Sequence, residues 1–79
     1  MYIAKFVFDP NVYDVSIISQ ALREIRLKDS TFKYMIVALK DGKCMLKIYN
    51  QTLDQAHKRA LWIRSKLFNN EVGYKVEER

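Results

Sequence analysis

Between Phe32 and Tyr49 the chain reads Phe32-Lys33-Tyr34-Met35-Ile36-Val37-Ala38-Leu39-Lys40-Asp41-Gly42-Lys43-Cys44-Met45-Leu46-Lys47-Ile48-Tyr49, and most of the architecture follows from it. Two runs rich in β-branched, aromatic and aliphatic residues flank Asp41-Gly42, and an Asp-Gly pair between such runs is a strong hairpin signal. A two-residue loop there sets Lys40 opposite Lys43, Ala38 opposite Met45, Ile36 opposite Lys47 and Tyr34 opposite Tyr49. The alternate pairs, Leu39 with Cys44, Val37 with Leu46 and Met35 with Ile48, are uniformly apolar and belong under a covering layer. On this register Tyr34, Ile36, Met45, Lys47 and Tyr49 are expected on the opposite, open side.

Upstream, the period lengthens. Val15, Ile18, Ala21, Leu22 and Ile25 fall on one face of a helix with Ser16, Ser19, Gln20 and Arg23 opposite. Asp14 or Ser16 can cap its start, and Asp29-Ser30-Thr31 ends it. Before that, Tyr2 to Phe8 reads as a strand stopped by Asp9-Pro10-Asn11. With Tyr2, Ala4, Phe6 and Phe8 inward, its Ile3, Lys5 and Val7 join the open side. Downstream, Thr52-Leu53-Asp54-Gln55 is a capping-box pattern. The helix it opens runs to about Phe68, with Leu53, Ala56, Ala60, Ile63 and Leu67 as its core stripe. Val72-Gly73-Tyr74-Lys75-Val76 alternates as a last strand. The order is therefore βαββαβ in one domain, residues 1–79, and two one-sided helices over a four-stranded antiparallel sheet give a ferredoxin-like α+β fold.

The 79 residues allow one modest core, which excludes a two-domain enzyme with an interdomain cleft. A single cysteine, Cys44, forms no internal disulfide, so a reduced, intracellular and cytoplasmic setting is expected. No apolar run reaches the roughly 18–20 residues of a membrane span, and a membrane partner is not expected. His57 and Cys44 lie thirteen residues apart on different elements, a poor start for a nucleophile–base pair. The chain has no clustered metal-ligand pattern and no Gly-rich phosphate loop, so neither enzyme activity nor a cofactor is expected. Asp9 and Asp14 could meet at a metal in a dimer, but their local roles as turn and cap residues take precedence.

The formal charge is +5. It is unevenly spread, with Met1–Asp29 neutral, Ser30–Tyr49 and Asn50–Asn69 each +3, and Asn70–Arg79 −1. A one-sided basic surface is the natural consequence. On the second helix Trp62 stands opposite Leu53, with Lys58 and Lys66 four residues to either side and Arg59 three before it. Cations beside an outward indole suit a phosphate-bearing strand, whose bases stack on the ring. His57 and Arg64 fall near the apolar edge and are expected to snorkel or to bond backbone. Tyr34, Lys47 and Tyr49 form a second candidate surface. The element order resembles that of an RNA-recognition motif, a family that stacks bases on outward sheet aromatics. The third-strand stretch, Asp41-Gly42-Lys43-Cys44-Met45-Leu46-Lys47-Ile48-Tyr49, lacks the aromatic positions of that family. The expected function is a non-catalytic module that binds DNA or RNA, single-stranded or structured. The rival is a protein-docking module, such as a small regulatory or virus-encoded inhibitor. A homodimer through the open sheet face is a third use of the same surface.

Overall fold

A computed structural model describes every residue from Met1 to Arg79. The elements are β1 (Tyr2–Phe8), α1 (Val15–Lys28), β2 (Lys33–Ala38), β3 (Cys44–Asn50), α2 (Leu53–Phe68) and β4 (Tyr74–Glu78). The strands form one sheet in the order β2-β3-β1-β4, antiparallel at every junction. This is the ferredoxin-like α+β fold expected from the element order. Ala4, Phe6 and Phe8 of β1 and Leu46 and Ile48 of β3 meet Ile18 and Leu22 of α1 and Ala60, Ile63 and Phe68 of α2 in one core. Phe68 is its aromatic hub, with ring centroids 5.2 Å from Phe6, 5.3 Å from Phe8 and 5.2 Å from Tyr13.

Local chemistry starts and stops the helices. The Asp14 carboxylate accepts from the Ser16 amide at 2.8 Å and caps α1. Thr52 Oγ1 accepts from the Gln55 amide at 3.1 Å, and Gln55 Oε1 accepts from the Gln51 amide at 3.0 Å. The reciprocal cap therefore reaches one residue further back than the usual box. Asn69 and Asn70, with φ of 51° and 61°, take the left-handed conformation that ends α2. The stripe of α2 is Ala56, Ala60, Ile63 and Phe68, with Leu67 partly buried. Leu53, expected in that stripe, is 48% exposed because it opens the helix, beyond the edge of the core.

The hairpin corrects the expected register. Leu39 N–H donates to the Lys43 carbonyl at 2.8 Å and Gly42 N–H to the Leu39 carbonyl at 3.2 Å, which leaves three residues, Lys40-Asp41-Gly42, in the loop. Only Gly42 has positive φ, 87°, whereas a two-residue type I′ loop needs it at both positions. The Asp41 carboxylate accepts from the Lys43 amide at 3.0 Å and favours this wider turn. Every pair moves by one: Ala38 faces Cys44, Ile36 faces Leu46 and Tyr34 faces Ile48. Tyr34 and Ile36 thus turn to the helix side and pack on the core, contrary to the expected open position. Tyr34 lies 5.8 Å from Phe32 with the Arg26 guanidinium 5.7 Å from its ring. Met35 and Val37, expected in the core, lie on the open face.

Candidate nucleic-acid interface

The face of the sheet away from the helices is ordered in rows across the strands. The register aligns Lys33, Tyr49, Ile3 and Glu77 in one row, and Met35, Lys47, Lys5 and Lys75 in the next. Val37, Met45 and Val7 make the third. Lys47, Lys5 and Lys75 are therefore directly opposite one another on three neighbouring strands. Adjacent strands lie about 4.8 Å apart, and like charges placed directly opposite destabilise a sheet. Glu77 is the carboxylate set among them, 2.6 Å from Lys5 Nζ. Its pKa is held below the ordinary carboxylate value, first by the hydrogen bond and charge of Lys5, with smaller contributions from Lys47 and Lys75.

Beside the lysine row is a shallow depression lined by Lys5, Val7, Met45, Gly73, Tyr74 and Lys75. Val7 and Met45 supply apolar surface, and Gly73 adds no side chain in an otherwise open space. On the other side of the row Tyr49 presents a partly exposed ring next to Ile3 and Lys33. Cations in the middle with apolar or aromatic surface to each side match a phosphate backbone with bases lying away from it.

The helix surface differs from its expected composition. Trp62 is 49% exposed, with Lys66 Nζ 6.0 Å from its ring. It borders a groove between α1 and α2 that also includes Ala21, Ile25 and Leu67, with Glu24, Asp29, Lys28 and Lys66 around them. Glu24 and Asp29 offset Lys28 and Lys66 there, so the groove has no excess of positive charge for a phosphate chain. Lys58 pairs with Asp54 at 3.1 Å, one turn earlier, with both side chains well exposed. Arg59 is a structural clamp. Its guanidinium donates to Asp29 Oδ2 at 3.1 Å, Thr31 Oγ1 at 3.2 Å and Asn50 Oδ1 at 3.4 Å, and lies 5.7 Å from the Phe32 ring centre. The Asp29 carboxyl is held below its usual range mainly by Thr31, which donates from both its hydroxyl and its amide, and further by Arg59.

The structure keeps Lys47 and Tyr49 together, places Trp62 and Lys66 on a separate surface, and removes Tyr34 and Arg59 from outward roles. Lys33 and Lys75 join the face without having been singled out by sequence, and Lys5 moves from bystander to centre. The alternation of Tyr74 and Val76 inward already implied that Lys75 points outward, and β4 lies beside β1 in this topology. Segment charge pointed elsewhere, since Lys5 and Lys75 come from segments with no net positive charge. Arg64 bonds backbone as expected, donating to the Val72 carbonyl at 2.9 Å and the Asn70 carbonyl at 2.8 Å. His57 Nδ1 lies 2.9 Å from the Tyr74 hydroxyl. Asp9 accepts from the Asn11 amide at 2.9 Å, and no three metal-ligating side chains come together. No helix is long and apolar enough to cross a membrane. No family model matches this chain, and neither a curated protein nor a solved structure matches it.

Proposed function

We propose that this protein binds single-stranded nucleic acid on the open face of its sheet, with Lys5, Lys47 and Lys75 meeting backbone phosphates and Tyr49 offering a stacking surface. The observation that carries this reading is the row of three directly opposed lysines with one carboxylate among them. Such a row opposes folding when empty and gains most from a chain of regularly spaced anions. Double-helical DNA presents its phosphates along curved grooves, whereas a flexible single strand can lie across a sheet and turn its bases onto Tyr49 and the Val7–Met45 depression.

A homodimer closed over this face would set one lysine row against its copy, which favours a polyanion as the occupant. The Trp62 groove, with an apolar floor and charges of both signs at its rim, suits a protein surface better than a phosphate chain and supports docking as the second reading. Fluorescence anisotropy of a labelled oligothymidylate at two salt concentrations tests the first. Three phosphate contacts predict a log–log salt slope near −2, at about 0.7 per contact. Binding should vanish when Lys5, Lys47 and Lys75 are all replaced by Gln and persist in Trp62→Ala. No binding at low salt, or binding that survives the triple substitution, refutes the reading; loss in Trp62→Ala transfers the site to the helices. Mass in solution at the concentrations used shows whether a second copy is present at all to cover the sheet face.

A further inference from the structure

Glu77 is an unusual occupant of a surface built for anions. Its carboxylate lies 2.6 Å from Lys5 Nζ, the middle ammonium of the row. The Lys5 side chain is 24% exposed and thus held against the sheet, whereas that of Glu77 is 58% exposed. Glu77 stands on β4, an edge strand with only β1 as a neighbour. A carboxylate and a phosphodiester each present one negative charge shared between two terminal oxygens. Their hydrogen-bond demands on an ammonium group are alike, so one can replace the other.

Resting on the nucleic-acid reading of this face, we infer that Glu77 is a built-in stand-in for a backbone phosphate on Lys5, and that nucleic acid binds by exchange, one phosphate displacing the Glu77 carboxylate. The fixed lysine keeps its place while the exposed carboxylate swings outward. Charges facing Glu77 come from β1 through Lys5, from β3 through Lys47 and from β4 itself through Lys75. The exchange filters ligands by valence. A tethered group competes at an effective concentration in the millimolar range, so an isolated monoanion gains little by replacing Glu77. A polyanion does better, because neighbouring phosphates reach Lys47 and Lys75 in the same event. The carboxylate also tempers repulsion within the lysine row while the site is empty.

A double-mutant cycle on binding tests this. Glu77→Gln, Lys5→Met and the double variant are compared with the original chain by anisotropy of the same labelled oligothymidylate, far below each variant's melting temperature. Releasing Lys5 from an exposed ion pair should let Glu77→Gln bind about three- to tenfold more tightly. In the Lys5→Met background the gain should shrink to about twofold or less, leaving only the long-range effect of one negative charge removed. Equal gains in the two backgrounds, or no gain with Lys5 present, overturn the exchange while the original chain's binding leaves the nucleic-acid reading standing. If none of the four proteins binds at low salt, that reading fails and the exchange falls with it. A purely structural Glu77 would lower the melting temperature on substitution and leave affinity unimproved, a pattern that also overturns the inference.

Discussion

Lys47→Gln should make the protein more stable and a poorer ligand for nucleic acid at the same time. Lys47 sits directly opposite Lys5 and has no ion pair of its own, since the pairs in the chain are Lys5–Glu77, Lys58–Asp54 and Arg59–Asp29. At a separation of about 7 Å two unit charges would repel by roughly 0.6–1.2 kcal/mol at effective dielectric constants of about 80 to 40. Lys75 adds to this at longer range and Glu77 subtracts, so one like-charge contact is the net quantity. Removing it should stabilise the fold by about 0.5–1 kcal/mol, within the range for cross-strand pairs. For a domain of this size that is a rise in Tm of about 2–8 °C. Thermal unfolding followed by circular dichroism should show the rise at low ionic strength. It should largely disappear in about 1 M salt, where the screening length falls to about 3 Å. The same variant should bind oligothymidylate more weakly, with a salt slope shallower by about 0.7. A Tm equal to or below that of the original chain at low salt would refute the repulsion argument, and unchanged affinity would remove Lys47 from the interface.

Tyr49→Leu, which keeps an apolar group beside Ile3, should cost about 1–3 kcal/mol of binding free energy by loss of stacking while leaving the salt slope unchanged; anisotropy at two salt concentrations separates these outcomes. Gly42→Ala should destabilise by about 1 kcal/mol, because φ of 87° is strained for alanine, although nothing crowds the added carbon. Gly73→Ala, open in space and without positive φ, should be neutral or stabilising by up to about 1 kcal/mol, as chemical denaturation would show. Asp29 and Glu77 have folded-state pKa values below their ordinary 3.8 and 4.5, so their contributions are complete above those values and are lost as pH falls through the lowered ones. Tyr13 has the opposite sign. Its hydroxyl donates to Glu71 at 2.6 Å and its pKa rises above 10.0, so its contribution is lost as pH climbs through that raised value. Tm measured against pH should fall on both limbs, and Asp29→Asn should flatten the acid one.

How far the sequence could be read depended on whether a feature was local. The caps at Asp14 and Thr52 and the inward set Phe6, Phe8, Leu46 and Ile48 are dictated by neighbours along the chain, and the structure contains them as expected. The hairpin was legible as a hairpin, but Asp41-Gly42 is compatible with two turns. The choice rests on one hydrogen bond, Lys43 N–H to the Asp41 carboxylate, and on a single positive φ. That choice moved Tyr34 from one face to the other. Arg59 was misplaced for a different reason. Helical spacing sets it near Trp62, whereas its partners Asp29 and Thr31 come from the α1–β2 connection, which only tertiary packing brings alongside α2. The lysine row was hidden because it runs across the chain. Its members are at positions 5, 47 and 75, and only the strand order makes them neighbours.

The three-residue turn at Lys40-Asp41-Gly42 also makes β2 the most re-addressable part of the molecule. As an edge strand joined to β3 alone, β2 could invert without asking any other strand to change its register. Shortening the loop by one residue would bring Tyr34 up beside the lysines and send Met35 and Val37 beneath the helices. A change in what this strip of surface presents is thus one codon deletion away. It would exchange the chemistry of a whole strip of surface while leaving the registers among the other three strands as they are.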